Sequence, residues 1–312
     1  MSILTGSATE LRMKRSFFLS VCLHKMSFYV QIIVLILSVA ASASAILSST
    51  TNRTELLVTT AFWNIHSKKG DPATSLKHYS SRLQLFLNLS IHYVFYGDSS
   101  IISSVKIDNN PNSHLVLAVE KNYHEFGPCK SHWTEFESNP GNYVHSEHVP
   151  SIDLGCIWLA KLELLHQSSI QQPEYEWLLW LDFGLHTTVA IDPSRFPNLS
   201  KLTSLPTDKL IVSYSHVKCL TDHQKQQRFE YDHCIAGTSF LVHRSFIDTV
   251  NSAFYDTFEE CLQVHKAMNS KQIFPCLHDQ VILSHLNSSL LFFYDPVFHD
   301  AKYGAVAYDL LS

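Results

Sequence analysis

The sequence predicts an α/β protein whose mostly parallel sheet is flanked by helices and preceded by an N-terminal membrane segment. Three observations lead there. Short runs rich in β-branched and aromatic residues alternate with segments of helical spacing along most of the chain. Those runs lack a strict apolar–polar alternation, which suits strands covered on both faces. Finally, 46% of the 312 residues are hydrophobic and only 16% are charged, against roughly 25% charged in an ordinary globular chain. Such a chain can bury a large core, and its length suits one large domain with appendages.

The N-terminus comes first. Arg12, Lys14 and Arg15 precede an apolar stretch whose cleanest part, Met26 to Leu47, carries no charge. About 20 apolar residues cross a bilayer, and positive charge on the N-terminal side keeps that side cytosolic. The expected organisation is a cytosolic tail over 1–25, a signal anchor over 26–47, a short stem over 48–55 and a luminal domain over 56–312. The run Ala41-Ser42-Ala43-Ser44-Ala45 equally suits signal peptidase, so a cleaved signal peptide is the alternative. Either route delivers the body to the secretory lumen. Four N-x-[ST] sequons, at Asn52, Asn88, Asn198 and Asn287, agree with that compartment. So do six body cysteines, Cys129, Cys156, Cys219, Cys234, Cys261 and Cys276, none in a C-x-x-C pair. An oxidising lumen predicts one to three disulfides, with the pairing left open.

The body shows no internal repeat. Leu56–Trp63 predicts a strand, Ser75–Leu89 an amphipathic helix, His92–Tyr96 and Leu115–Val119 two further strands. Glu120–Pro150, rich in Asn, Pro, Gly and His, predicts an irregular excursion. Asp153–His166 predicts one helix with Asp153 as its N-cap. A strand ending at Asp182 follows, then strands at Leu210–Ser215 and Ile235–Val242. Ser245–Met268 and Asp279–Leu286 predict helices, and Leu290–Tyr294 a last strand. The net charge of −5 leaves no basic footprint for nucleic acid. The 19 histidines are scattered rather than clustered.

Four stretches carry chemistry. "WLLWLDFG" (Trp177–Gly184) ends an apolar strand on a single carboxylate, Asp182, and a glycine. At a strand tip such a group either bonds nearby backbone amides or serves a hard divalent cation, which takes only one or two protein oxygens beside phosphate and water. Gly184 leaves room for a diphosphate. "DFG" also occurs in protein kinases, but no Gly-rich loop, H-R-D or V-A-I-K lysine accompanies it here. Asp279-Gln280 opens a helix, where Asp279 can cap, bond acceptor hydroxyls or act as a base. His299 and Lys302, beside Gly304, suit a metal and a departing diphosphate. Ala236-Gly237-Thr238 lets a sugar ring approach the backbone. G-x-S-x-G and H-E-x-x-H are absent, which argues against the commonest hydrolases.

In this order the stretches resemble glycosyltransferases of the GT-A type, with a Rossmann-like nucleotide-diphospho-sugar transferase fold. Asp182 occupies the place of their D-x-D strand, Lys161 resembles a lysine on the preceding helix, and Ile235-Ala236-Gly237 looks like their acceptor-side strand. His278-Asp279-Gln280-Val281 resembles their "DQ" helix, and His299 a manganese-binding C-terminal histidine. More narrowly, "LLVTTAFWNI", "KHYSSRLQLFLNLSIHYVFYGD" and "WLDFG" look like the WlaTC/HtrL/YibB family, over roughly Leu56 to Gly304. The resemblance implies a nucleotide-sugar donor, a glycan or glycoprotein acceptor, and a type II position in the Golgi or ER membrane, with secretion as the alternative. It implies Asp182 and His299 as ligands of a divalent cation, Mn2+. Lys161, Gly184, Ala236, Gly237, Gln280 and Lys302 are the implied substrate-binding residues, and Asp279 the catalytic carboxylate. One departure stands out: D-x-D needs an acid at 184, where this chain has glycine; His186 is another candidate helper for the ion, and the alternative is metal-independent binding with Lys161 or Lys302 neutralising the phosphates. The alternative reading is a glycosyltransferase-like protein that binds carbohydrate or nucleotide without turnover.

Overall fold

The computed structural model describes residues 56–65, 89, 91–104, 112–144, 149, 151–183, 197–215, 234–267 and 276–294. All lie in the compact unit Thr54–Ser312. The expected membrane segment, the helix expected over most of Ser75–Leu89, and the sequons at Asn52 and Asn88 lie outside them. Among the described residues no helix is long and apolar enough to cross a membrane.

The elements run β1 (Leu56–Ala61), β2 (His92–Gly97), α1 (Ser99–Ser104), β3 (Val116–Glu120), α2 (Cys129–Ser138), α3 (Ile152–Leu159) and α4 (Lys161–Gln171). They continue with β4 (Trp177–Leu181), β5 (Leu210–Val212), β6 (Ser239–His243), α5 (Ile247–Ala267), α6 (Asp279–Ser284) and β7 (Leu291–Phe293). The seven strands form one sheet in the order β3-β2-β1-β4-β6-β5-β7. The β3-β2-β1-β4 half is parallel throughout. β6 runs antiparallel to both β4 and β5, and β7 is parallel to β5. The architecture is therefore the α/β, mostly parallel sheet the sequence predicts.

The strands fail to alternate in hydropathy because both faces of the sheet are buried. Leu57, Val94, Tyr96, Leu178, Trp180, Phe240 and Val242 join the core under the helices, with Phe136, Leu159, Leu162, Phe254 and Ile282. Their neighbours Leu56, Val58, Tyr93, Phe95, Leu179, Leu181 and Leu241 form a second core on the other face. Successive strand residues point to opposite sides, so a strand greasy at every position serves two cores.

Several boundaries differ from expectation. Glu120–Pro150 contains α2, which the surrounding Asn, Pro and Gly residues obscure. Cys129 and Phe136, seven apart, are its buried positions. Gly127 (φ 67°) enters it, and a Cβ there would meet the Ala160 Cα at 2.9 Å. The helix expected over Asp153–His166 is two helices, α3 and α4, meeting at Ala160, whose N–H is shared by the Cys156 and Trp158 carbonyls. Its cap is Ser151, which accepts from Leu154 N–H at 3.1 Å, and not Asp153. Asp153 instead accepts the Tyr123 hydroxyl at 2.5 Å. The strands expected at Leu210–Ser215 and Ile235–Val242 are shorter. Tyr214 and Ile235 keep one isolated bridge, and a turn at Gly237–Thr238 separates it from β6.

Two disulfides hold the helical layer: Cys129–Cys156 joins α2 to α3, and Cys261–Cys276 joins α5 to the segment entering α6. Cys234 is also disulfide-bonded. These bonds fit the oxidising compartment that the sequons imply. Asn287 is exposed.

Candidate active site

Asp182 follows β4 directly, at the carboxyl end of a central strand in the parallel half of the sheet. In open α/β sheets ligands bind beyond these ends. Asp182 lies on the same face as Trp180, two residues earlier, and that face carries α4. Its N–H donates to the Thr238 carbonyl at 2.8 Å, which carries the β4–β6 pairing one step further. The Trp180 indole N–H donates to Asp182 Oδ1 at 2.7 Å.

The first residue of α4 meets this carboxylate. Lys161 Nζ stands 3.0 Å from Asp182 Oδ1 and 3.2 Å from Oδ2. It also stands 2.8 Å from Asp279 Oδ2, and it donates to the Gly237 carbonyl at 2.9 Å. An ammonium has three donors and no acceptor. Asp182 and Gly237 accept two of them, the Asp279 carboxylate is ion-paired beside it, and the Trp180 ring lies 5.9 Å away. The Lys161 side chain is 6% exposed and that of Asp279 4%, but that of Asp182 is 27% exposed. Of the three charged groups, Asp182 is the one that reaches solvent.

The electrostatics follow from this packing. Burial disfavours the charge on Lys161, but the two carboxylates outweigh it and its pKa is raised. That contribution to stability is complete below the ordinary lysine value and is lost only as pH rises through the raised one. Asp182 is also raised: burial dominates, Lys161 and Trp180 oppose it, and Asp279 adds like-charge repulsion. A raised carboxyl stabilises the fold only when protonated, so its contribution is present below the ordinary aspartate value and is lost as pH climbs through the raised one.

Gly237 is buried because Asp279 lies against it. A Cβ at that position would meet Asp279 Oδ2 at 2.4 Å and Gln280 Cγ at 3.1 Å. Gly237→Ala is expected to cost about 1–3 kcal/mol, as overpacking of a core does, and to lower the thermal midpoint. An unchanged midpoint would mean that α6 yields freely.

The fold thus brings together Lys161, Asp182, Ala236, Gly237, Asp279 and Gln280. Ala236 is fully buried. Gly184, His186, His299, Lys302 and Gly304 lie outside the described residues. Lys161 is enclosed by Asp182, Gly237 and Asp279, and a phosphate reaches it only by displacing one of them. Sequence reasoning gave Trp180 no role and did not foresee the Thr238 carbonyl as partner of Asp182 N–H or His278, whose Nδ1 is 3.6 Å from Asp279 Oδ1, beside the second acid. The two-residue spacing of Trp180 and Asp182 was the available signal, since i and i+2 share a sheet face. Among the described residues no three His, Cys, Asp or Glu side chains converge as cation ligands. The described part of the cluster does not by itself fit a divalent ion, because both Asp182 oxygens already have donors.

No protein-family model matches this sequence. No curated protein matches it either. Among solved structures the chain is similar to the apo form of mouse xyloside xylosyltransferase 1, with a TM-score of 0.42 and 11% identity over 77% of this chain and 84% of that one.

Proposed function

We propose that this protein is a glycosyltransferase that moves a sugar from a nucleotide-diphosphate donor to a hydroxyl of a glycan or glycoprotein in the secretory pathway, in the manner of the WlaTC/HtrL/YibB family it resembles. The observation that carries this reading is the partly exposed Asp182 at the carboxyl end of β4, clamped by Lys161 to the Gly237 turn and to Asp279. A partly buried carboxyl with a raised pKa at a strand end is the kind of group that active sites hold.

In this reading Asp182 faces the donor diphosphate and Asp279 stands on the acceptor side. Lys161 holds both carboxylates in register, and Lys302 offers a second ammonium to the leaving group. Fixed positive charge at a departing diphosphate is the usual dominant electrostatic contribution. The resemblance assigns Mn2+ to Asp182 and His299; to hold it, Asp182 would have to give up its Lys161 or Trp180 donor, and the ion would supply Lewis-acid stabilisation of the leaving group.

Asp182→Asn tests the reading on the full chain. The amide preserves shape and still accepts from Trp180. The thermal midpoint is expected to hold, because Asp279 stays beside Lys161 and the Trp180 bond is kept. Binding of UDP- or GDP-sugars, followed by titration calorimetry, is expected to weaken about tenfold or more, and transfer to disappear. A variant that binds donor like the parent removes the proposal. Donor binding by the parent without hydrolysis or transfer favours the alternative, a carbohydrate- or nucleotide-binding protein of the same fold.

A further inference from the structure

A concave site lies apart from the Lys161 cluster, none of whose charged groups lines it. It is a cavity of about 350 Å³ between the carboxyl ends of β2 and β3, the loop entering α2, and one face of α4. Small-molecule sites run from about 300 to 1,000 Å³, so this one suits a mono- or disaccharide. It opens beside the edge strand β3, three positions from β4 in the sheet. At about 4.8 Å per strand that is roughly 14 Å from the strand bearing Asp182. Glu163, Gln167 and Gln171 enter it from α4 at four-residue spacing, the spacing of a single helix face.

The lining decides what the cavity takes. Its floor is apolar and partly aromatic: Tyr96 and Phe126 meet edge to face at 5.6 Å, beside Val119. Its two carboxylates are already supplied with donors. Glu163 accepts from Gly127 N–H at 3.2 Å and from the Tyr255 hydroxyl. Glu125 accepts from Lys121 Nζ at 3.1 Å, and Lys130 stands near enough to help hold its pKa down, after the larger effect of Lys121. Lys121 is thus paired with Glu125, while Lys130 lines the same cavity and makes no ion pair among the described residues; an ammonium has three donors. Gln167 and Gln171 add primary amides that both donate and accept. A ring with vicinal hydroxyls fits the amides, its apolar face fits the Tyr96–Phe126 floor, and the Lys130 ammonium, which no carboxylate pairs, suits an anionic substituent.

We propose that this cavity binds a mono- or disaccharide bearing one anionic group, a carboxylate or a sulfate ester, with Lys130 and Lys121 on the anion and Gln167 and Gln171 on the hydroxyls. The site stands apart from the donor reading and does not depend on it. The test titrates the full chain with a uronic acid-containing disaccharide, a sulfated disaccharide, an uncharged disaccharide and inorganic sulfate, with binding read by calorimetry and by ligand-observed NMR. At least one anionic disaccharide is expected to bind, with the uncharged disaccharide and inorganic sulfate each weaker by about tenfold or more. Lys130→Glu and Gln171→Ala alter exposed side chains. Each is expected to weaken that binding about tenfold while leaving the circular dichroism spectrum unchanged. Asp182→Asn is expected to leave it unchanged, which separates this site from the Lys161 cluster. The proposal fails if no anionic disaccharide binds, if the uncharged one binds equally well, if sulfate alone binds as tightly, if Lys130→Glu or Gln171→Ala has no effect, or if Asp182→Asn abolishes binding.

Discussion

Lys161→Met is expected to destabilise the protein by about 3 kcal/mol, near the lower end of the roughly 3–5 kcal/mol that follows removal of one partner from a buried ion pair. The methionine keeps most of the volume, so the loss comes from charge. Asp182 and Asp279 then face each other without the ammonium that stands 3.0 and 2.8 Å from them, and the Gly237 carbonyl loses its donor. The lower end applies because the Asp182 side chain is 27% exposed and can recruit water. The deficit has a pH signature. Without Lys161, Asp182, whose pKa burial already raises, loses the charge that opposes that rise and binds its proton still more tightly in the folded state. The variant therefore recovers stability as pH falls toward the ordinary aspartate range. Urea unfolding of parent and variant at pH 7 and pH 5 checks both points. A deficit below about 1 kcal/mol at pH 7, or one that widens on acidification, would mean that the ammonium does not hold this cluster together.

The second large effect is expected at the Cys261–Cys276 disulfide, which closes a separation of 15 residues. A loop of that length restricts the unfolded chain by about 3 kcal/mol in the chain-entropy account. The paired change Cys261→Ser with Cys276→Ser is expected to lower the thermal midpoint by about 6–12 °C, at roughly 2–4 °C per kcal/mol for a domain of this size. The consequence reaches the site. Cys276 precedes Asp279 by three residues, and α6, only six residues long, needs tertiary contacts to hold its place. Donor binding is therefore expected to weaken in the same variant at temperatures where it is still folded. A midpoint within about 2 °C of the parent would show that α5 and the α6 segment are held by packing alone.

Much of the fold was legible because burial leaves a local trace. The run Trp177–Leu181 is buried at every position, and a strand so apolar needs cover on both faces. That points to a sheet between two layers and to Asp182 at a strand end. The same reasoning failed over Glu120–Pro150. There the turn-forming residues outweigh the helical spacing of Cys129, Trp133 and Phe136, and α2 depends on the Cys129–Cys156 bond and the Gly127–Ala160 approach. Neither can be seen within a window of ten residues. The joint at Ala160 was equally hidden, since the apolar period runs through it without interruption.

The candidate site divides along the same line. Asp182 and Asp279 stand out in the sequence because each interrupts or opens an apolar element, and the hydrophobic pattern is local. Their meeting across Lys161 is a property of the folded chain. It needs β6 to return antiparallel beside β4, the Gly237 turn to leave space for a carboxylate, and α6 to press against it. Sequence by itself determined which segments are strands and which acids stand at their ends, because backbone period and burial act over a few residues. Only the tertiary structure decided that one ammonium serves both acids, because electrostatic pairing depends on distance in space and carries no periodic signature along the chain.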